Sequence, residues 1–169
     1  VTNSASPTLA ATYDTPCVAR SVVVSGNYAY VADDGAGLQI INVANPASPT
    51  LTGAYNTPVI ALGAAVSGRY AYVADDLAGL RVIDFFNPFA PAEVGYFDSD
   101  GNGYGVAVSG GYAFLANNLD GSYMLHYSGQ CVDHYEPNDD MLQPQPASAG
   151  TVYDSLICTG GDQDHYRVT

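Results

Sequence analysis

The stretch VSGNYAYVADD, residues 24–34, returns as VSGRYAYVADD at 66–76 and as VSGGYAFLANN at 108–118. The interval is 42 residues both times. Working outward from this phrase, residues 22–58 align with 64–100 without a gap, and 18 of the 37 positions are identical. A third copy begins at Val106 and fades after Gly121. Upstream, Pro7, Leu9, Tyr13 and Pro16 match Pro49, Leu51, Tyr55 and Pro58 at the same offset, so the last strand of an earlier copy precedes the first full one. A fixed period in this range marks stacked supersecondary units, none of which hides its apolar faces alone.

Each unit divides into four short strands. The first is apolar, SVVV at 21–24 or GAAV at 63–66, and Ser-Gly then turns the chain. The second, YAYVA, alternates and is rich in β-formers. The third is LQIINV or LRVIDFF. NPASP and NPFAP end it, because proline lacks the ladder donor. The fourth is TLTGAY or AEVGYF. Nothing in this pattern supports a helix of useful length. The expected fold is all-β, in four-stranded antiparallel blades of the size used in propellers.

Within the unit, Ser-Gly at 25–26, 67–68 and 109–110 is expected to make the first hairpin turn, and Gly37, Gly79 and Gly121 to bend the chain into the third strand. Tyr28, Tyr70 and Tyr112 are expected to pack between blades. The pairs Asp33–Asp34 and Asp75–Asp76 fall at the second hairpin. Cation contact on the rim and turn chemistry, in which Asp bonds its own backbone, both suit them. Asn117–Asn118 in the third copy keeps the turn capacity and drops the charge, which favours the turn.

Composition bounds the function. The 169 residues hold 17 acids against four arginines and no lysine, a formal net charge of −13. Such a surface repels nucleic acid, whose binding needs clustered Lys and Arg. No run approaches the roughly 18 to 20 apolar residues of a membrane helix. The three cysteines are Cys17, Cys131 and Cys158. Their odd number points to one disulfide and one leftover thiol, and no paired Cys or His spacing suits zinc. Cys17 is expected to be a buried free thiol, with an intermolecular crosslink as the alternative. There is no GxSxG elbow, HExxH or phosphate loop. No carboxylate pair stands out from the rest, so the chain is not expected to be an enzyme.

The segments VSGNYAYVADDGAGLQIINVANPASP and VSGRYAYVADDLAGLRVIDFFNPFAP resemble the LVIVD-repeat family, over residues 1 to about 129. The resemblance implies a β-propeller of the kind found in secreted and surface-attached bacterial and archaeal proteins, and implies no particular activity. It divides the chain into a trailing strand (1–16), two full repeats (17–58 and 59–100), a degenerate repeat (101–129) and a tail (130–169). Propellers close with four to eight blades, and this stretch supplies fewer. Three solutions stand open: a longer parent chain, copies of the chain that close or extend the ring, or a capping tail.

The tail carries DHYEPNDD at 133–140, ASAG at 147–150 and GDQDHYRV at 161–168. It resembles the opening half of the bacterial pre-peptidase C-terminal domain, a small β-sandwich of which only part would be present. That resemblance implies a calcium site formed by Glu136, Asn138 and Asp139 from the first phrase with Asp162 and Asp164 from the last. Calcium takes six to eight oxygen ligands. The resemblance also brings Cys131 near Cys158, implying a disulfide. Closing such a loop contributes about 3 to 4 kcal/mol in the chain-entropy model and places the protein outside the cytosol. The expectation is a non-catalytic extracellular structural, adhesive or binding module whose partners are its own copies, the rest of a longer chain, or a surface glycan or protein. The alternatives are an accessory region of a larger secreted hydrolase and a subunit of an extracellular filament.

Overall fold

The computed structural model describes residues 6–118 and 121–126. Among them the chain is all-β and contains no helix. Three antiparallel sheets follow one another. The first blade has β1 (Ser21–Ser25), β2 (Tyr28–Ala32), β3 (Leu38–Asn42) and β4 (Thr50–Tyr55) in that spatial order. The second repeats it with β5 (Gly63–Ser67), β6 (Tyr70–Ala74), β7 (Leu80–Asp84) and β8 (Ala92–Phe97). The third has β9 (Gly103–Ser109), β10 (Tyr112–Asn117) and β11 (Gly121–His126).

The turns follow from residue chemistry. Ser25 faces Tyr28, and Ser67 faces Tyr70, across two-residue loops. Gly26 and Gly68 take φ of 57° and 59° as the first central residues, as a type II′ hairpin turn requires. The third copy has Gly110–Gly111, both at positive φ, the pattern of the mirror-image type I′ turn. Gly37 and Gly79, both at φ 70°, end the second hairpin. A Cβ there would strike the Tyr55 or Phe97 carbonyl, so only glycine lets the fourth strand close on the third. The bulges repeat as well. Register shifts between Ile40 and Ile41 in the first blade and between Val82 and Ile83 in the second.

Alternation along each strand gives every blade two apolar faces. One face of the first blade presents Tyr30, Ala32, Leu38 and Ile40, and the facing side of the second presents Ala64, Ala71, Val73 and Ile83; together they form one buried core. The same positions one period later, Tyr72, Ala74, Leu80 and Val82, meet Ala113, Leu115 and Leu125 of the third blade. The blades are thus stacked face to face. The expected packing of the first tyrosine of each phrase between blades holds for Tyr28 and Tyr70. Tyr28 and Tyr70 flank the two joints, whereas the fully buried Tyr30 and the buried Tyr72 fill them. Tyr112 instead packs inside its own blade, 6.5 Å from Phe114 and 5.0 Å from His126 between ring centroids.

Candidate functional site

The second hairpins and the connectors between blades share one end of the stack. There Asp33 and Asp75 are fully buried. Asp33 accepts hydrogen bonds from the Thr15 hydroxyl at 2.6 Å and the Cys17 N–H at 3.0 Å. Asp75 accepts from the Thr57 hydroxyl at 2.6 Å and the Val59 N–H at 3.1 Å. Each carboxylate therefore clasps the connector that enters its own blade. Burial pushes the Asp75 carboxyl above its ordinary 3.8, while Thr57, Val59 and Arg81 pull it back. The turn chemistry expected for these pairs holds at Asp34, whose side chain accepts from Gly35 N–H at 2.9 Å. It fails at Asp33 and Asp75, which point inward because buried donors from a neighbouring segment need an acceptor.

Asp34 and Asp76 adopt left-handed φ of 50° and 47° and reach forward. Asp34 exchanges both backbone hydrogen bonds with Ala61, at 3.1 and 3.0 Å, and the Asp76 carbonyl accepts from Gly103 N–H at 2.8 Å. Arg20 ion-pairs with Asp34 at 2.5 Å, and the Asn102 amide donates to Asp76. Asp34, Asp75 and Asp76 thus join consecutive blades, and Asp33 fastens residues 15–17 to the first. Among the described residues, no group of three His, Cys, Asp or Glu is arranged to hold a metal ion.

Arg81 has no counterpart of its kind in the first blade, where Gln39 stands. Its guanidinium is buried at the first joint, 2.7 Å from Asp98 and 3.8 Å from Glu93, and it lies 4.7 Å from the Tyr96 ring centroid. Tyr55 of the first blade donates its hydroxyl to Glu93 at 3.2 Å, so this charged group also crosses the joint. Its two terminal nitrogens face the acidic partners while the buried Nε has no hydrogen-bond partner among the described residues, and the crossing contacts suit cohesion of the joint.

The opposite end presents different chemistry. The Val43 N–H donates to the Asn27 carbonyl at 2.8 Å and Phe85 N–H to that of Arg69 at 3.0 Å, tying each β3–β4 or β7–β8 loop to the first hairpin turn. Inside these loops Asx turns recur. Asn42 and Asn45 accept from the N–H groups of Ala44 and Ala47. Asp84 and Asn87 accept from those of Phe86 and Phe89. The backbone is the same, but the second blade displays two phenyl rings where the first has methyl groups. Phe86 is 79% and Phe89 74% exposed. Arg69 sits 5.6 Å from the Phe86 centroid and 5.2 Å from that of Tyr70, and pairs with Asp84 at 2.8 Å. Sequence reasoning passed over this patch. The signal was the substitution of Ala44 and Ala47 by Phe at unchanged spacing.

The calcium candidates Glu136, Asn138, Asp139, Asp162 and Asp164, and the pair Cys131 and Cys158, lie outside the described residues. Cys17 is exposed, not buried as expected. Only its backbone is engaged, through Asp33, and the connector runs along the surface at the open end of the stack.

Face-to-face antiparallel blades with a 42-residue period define a propeller-type repeat module. The LVIVD repeat matches at residues 17–57, 60–99 and 100–121, and the chain belongs to that family. No curated protein matches it. Among the described residues, no helix is long and apolar enough to cross a membrane.

Proposed function

We propose that the chain is a non-catalytic extracellular module that binds a surface, and that the Phe86–Phe89 end of its second blade is the contact. The observation that carries this reading is the exposure of two phenyl rings on loops whose Asx turns fix them outward. Exposed aromatic groups rimmed by polar ones favour stacking against sugar rings or partner side chains. The buried aspartates are engaged in holding the blades, which leaves them ill placed for acid–base work. Retention of the chain on insoluble polysaccharide and cell-wall material tests this. Wild type should be retained, and Phe86→Ala/Phe89→Ala should lose at least tenfold in affinity without a change in Tm. A wild type that flows through every such material contradicts the reading.

The extracellular assignment is supported by the cysteine pair in the tail, and peptide mapping without reductant should link Cys131 to Cys158. Calcium binding by the two acidic tail phrases predicts a rise in Tm that EDTA reverses. The likeness of those phrases to a domain that trails secreted proteases favours a second reading, an accessory region of a larger secreted hydrolase. That reading requires a catalytic motif elsewhere in a longer parent chain.

A further inference from the structure

Asn102–Gly103 is the one Asn-Gly pair in the sequence. It stands where the repeat departs from itself, since Ile60 and Ala61 hold the same places 42 residues earlier. Packing explains the glycine. A Cβ at residue 103 would lie 3.0 Å from the Gly79 carbonyl oxygen and 3.2 Å from Leu115 Cδ1, tighter than ordinary van der Waals contact. The asparagine fills a clasp. Its side-chain amide donates to the Asp76 carboxylate. The Asp76 carbonyl accepts from Gly103 N–H at 2.8 Å, and the Asn102 carbonyl accepts from Asn118 N–H at 3.0 Å. Asp76 lies on the hairpin between β6 and β7, and Gly103 begins β9. The pair thus fastens the third blade to the second.

The same pair is chemically labile. The backbone nitrogen that follows an asparagine can attack its side-chain amide carbon, and glycine, with no Cβ, hinders that approach least. In this chain Gly103 N forms a bond to Asn102 Cγ. The amide nitrogen leaves as ammonia, taking up the proton lost from Gly103 N. Water then opens the cyclic imide at either carbonyl. One opening gives aspartate, and the other gives isoaspartate, whose backbone is one methylene longer. No oxidant or reductant takes part. In the folded chain the Gly103 N–H and the Asn102 amide are both committed to Asp76. Reaction therefore requires the joint to open locally.

We infer that Asn102 is a deamidation site that Asp76 keeps closed, and that its reaction turns a clasp between the second and third blades into a repulsion. In the aspartate product a second carboxylate faces that of Asp76, and like charges so close oppose each other. The isoaspartate product also displaces Gly103 from its bridge to Asp76. Each opening that leads to reaction is recorded irreversibly as a looser joint. The first joint has no such site, because Arg20 pairs with Asp34 and an isoleucine precedes Ala61. The inference goes beyond the contact surface at Phe86 and Phe89 and does not depend on it.

Peptide mapping of the full chain, held at mildly alkaline pH, follows the amide-to-acid mass gain and the isoaspartate at residue 102. The reaction should be at least about tenfold slower in the folded chain than in concentrated urea, because it waits on opening. Asp76→Gly keeps the left-handed backbone and loses the carboxylate, and should raise the folded rate several-fold. Equal rates in the folded and unfolded wild type would overturn the inference. Amide hydrogen exchange reads the consequence. Asn102→Asp should speed exchange in β9, β10 and β11 relative to β1 to β4. Asp76→Asn/Asn102→Asp restores one carboxylate and one amide, and asparagine accepts the left-handed φ at residue 76. This exchanged pair should return the third blade close to wild-type exchange, and it carries the test alone if Asp76→Gly fails to fold. Exchange unchanged by Asn102→Asp, or as fast in the exchanged pair as in Asn102→Asp, would also overturn the inference.

Discussion

Ile40 and Met124 occupy the same place in the repeat, two 42-residue periods apart. Ile40 is sealed between two blades, and Met124 stands at the open side of the third, 46% exposed. The strand geometry is shared and the alternation is shared. What differs is the neighbour. Burial in a stacked repeat belongs to the joint, not to the residue, and side-chain type follows. Leu38 and Leu80 line complete joints, and the third copy has Ser122 at that position. The clasps show the same contrast. In the second blade Thr57 donates to the buried Asp75. In the third, Ser99 replaces the threonine and donates to its own loop at the Gly101 carbonyl, 2.9 Å away, while Asn117 replaces the aspartate.

The largest expected effect breaks a complete joint. Leu80→Ala opens a cavity in the core between the second and third blades and should cost about 3 kcal/mol. Met124→Ala should cost under about 1 kcal/mol, since half-exposed side chains lose little. Urea melts compare the two. Equal costs would mean that the outer face of the third blade is covered as fully as the joints are.

A smaller effect sharpens the contrast between clasps. Thr57→Val removes a hydroxyl donor from a buried carboxylate and keeps the shape, and should cost about 2 kcal/mol, the range for bonds to charged groups. Ser99→Ala removes a bond to a loop carbonyl and should cost under about 1 kcal/mol. Similar losses at the two sites in chemical denaturation would erase the distinction drawn between the blades.

The smallest effect is one of pH. Burial raises the Asp75 carboxyl above 3.8, so the folded state holds that proton more tightly than the unfolded state does. Its contribution to stability is then greatest below 3.8 and declines as pH climbs through the raised value. The stability of wild type relative to Asp75→Asn should fall across that window, with a slope of at most about 1.4 kcal/mol per pH unit. A difference that grows with pH would mean that Thr57, Val59 and Arg81 outweigh the desolvation.

The strands were legible because alternation and period coincide. YAYVA can place Tyr30 and Ala32 on one face only, and a 42-residue offset carries that face to Tyr72 and Ala74. The turns were legible in Ser-Gly and in Gly37. The direction of Asp33 and Asp75 was not, since a DD pair at a hairpin suits local turn bonds equally well. The decisive sign was distant: Thr15 precedes Asp33 by the same 18 residues that separate Thr57 from Asp75, and the third copy alters both members at once. Arg81 and the Phe86–Phe89 pair escaped a reading built on the repeat because each departs from it. Periodicity reveals what copies share, and the candidate contact surface lies where they diverge.

Consecutive blades are held face to face by side chains crossing the joint. Tyr30 of the first blade and Phe85 of the second stand 4.6 Å apart between ring centroids, and they test it most directly. A double-mutant cycle with Tyr30→Leu and Phe85→Leu, read by urea denaturation, should give a coupling of about 1 kcal/mol. Strictly additive losses at these two positions would contradict the stacking.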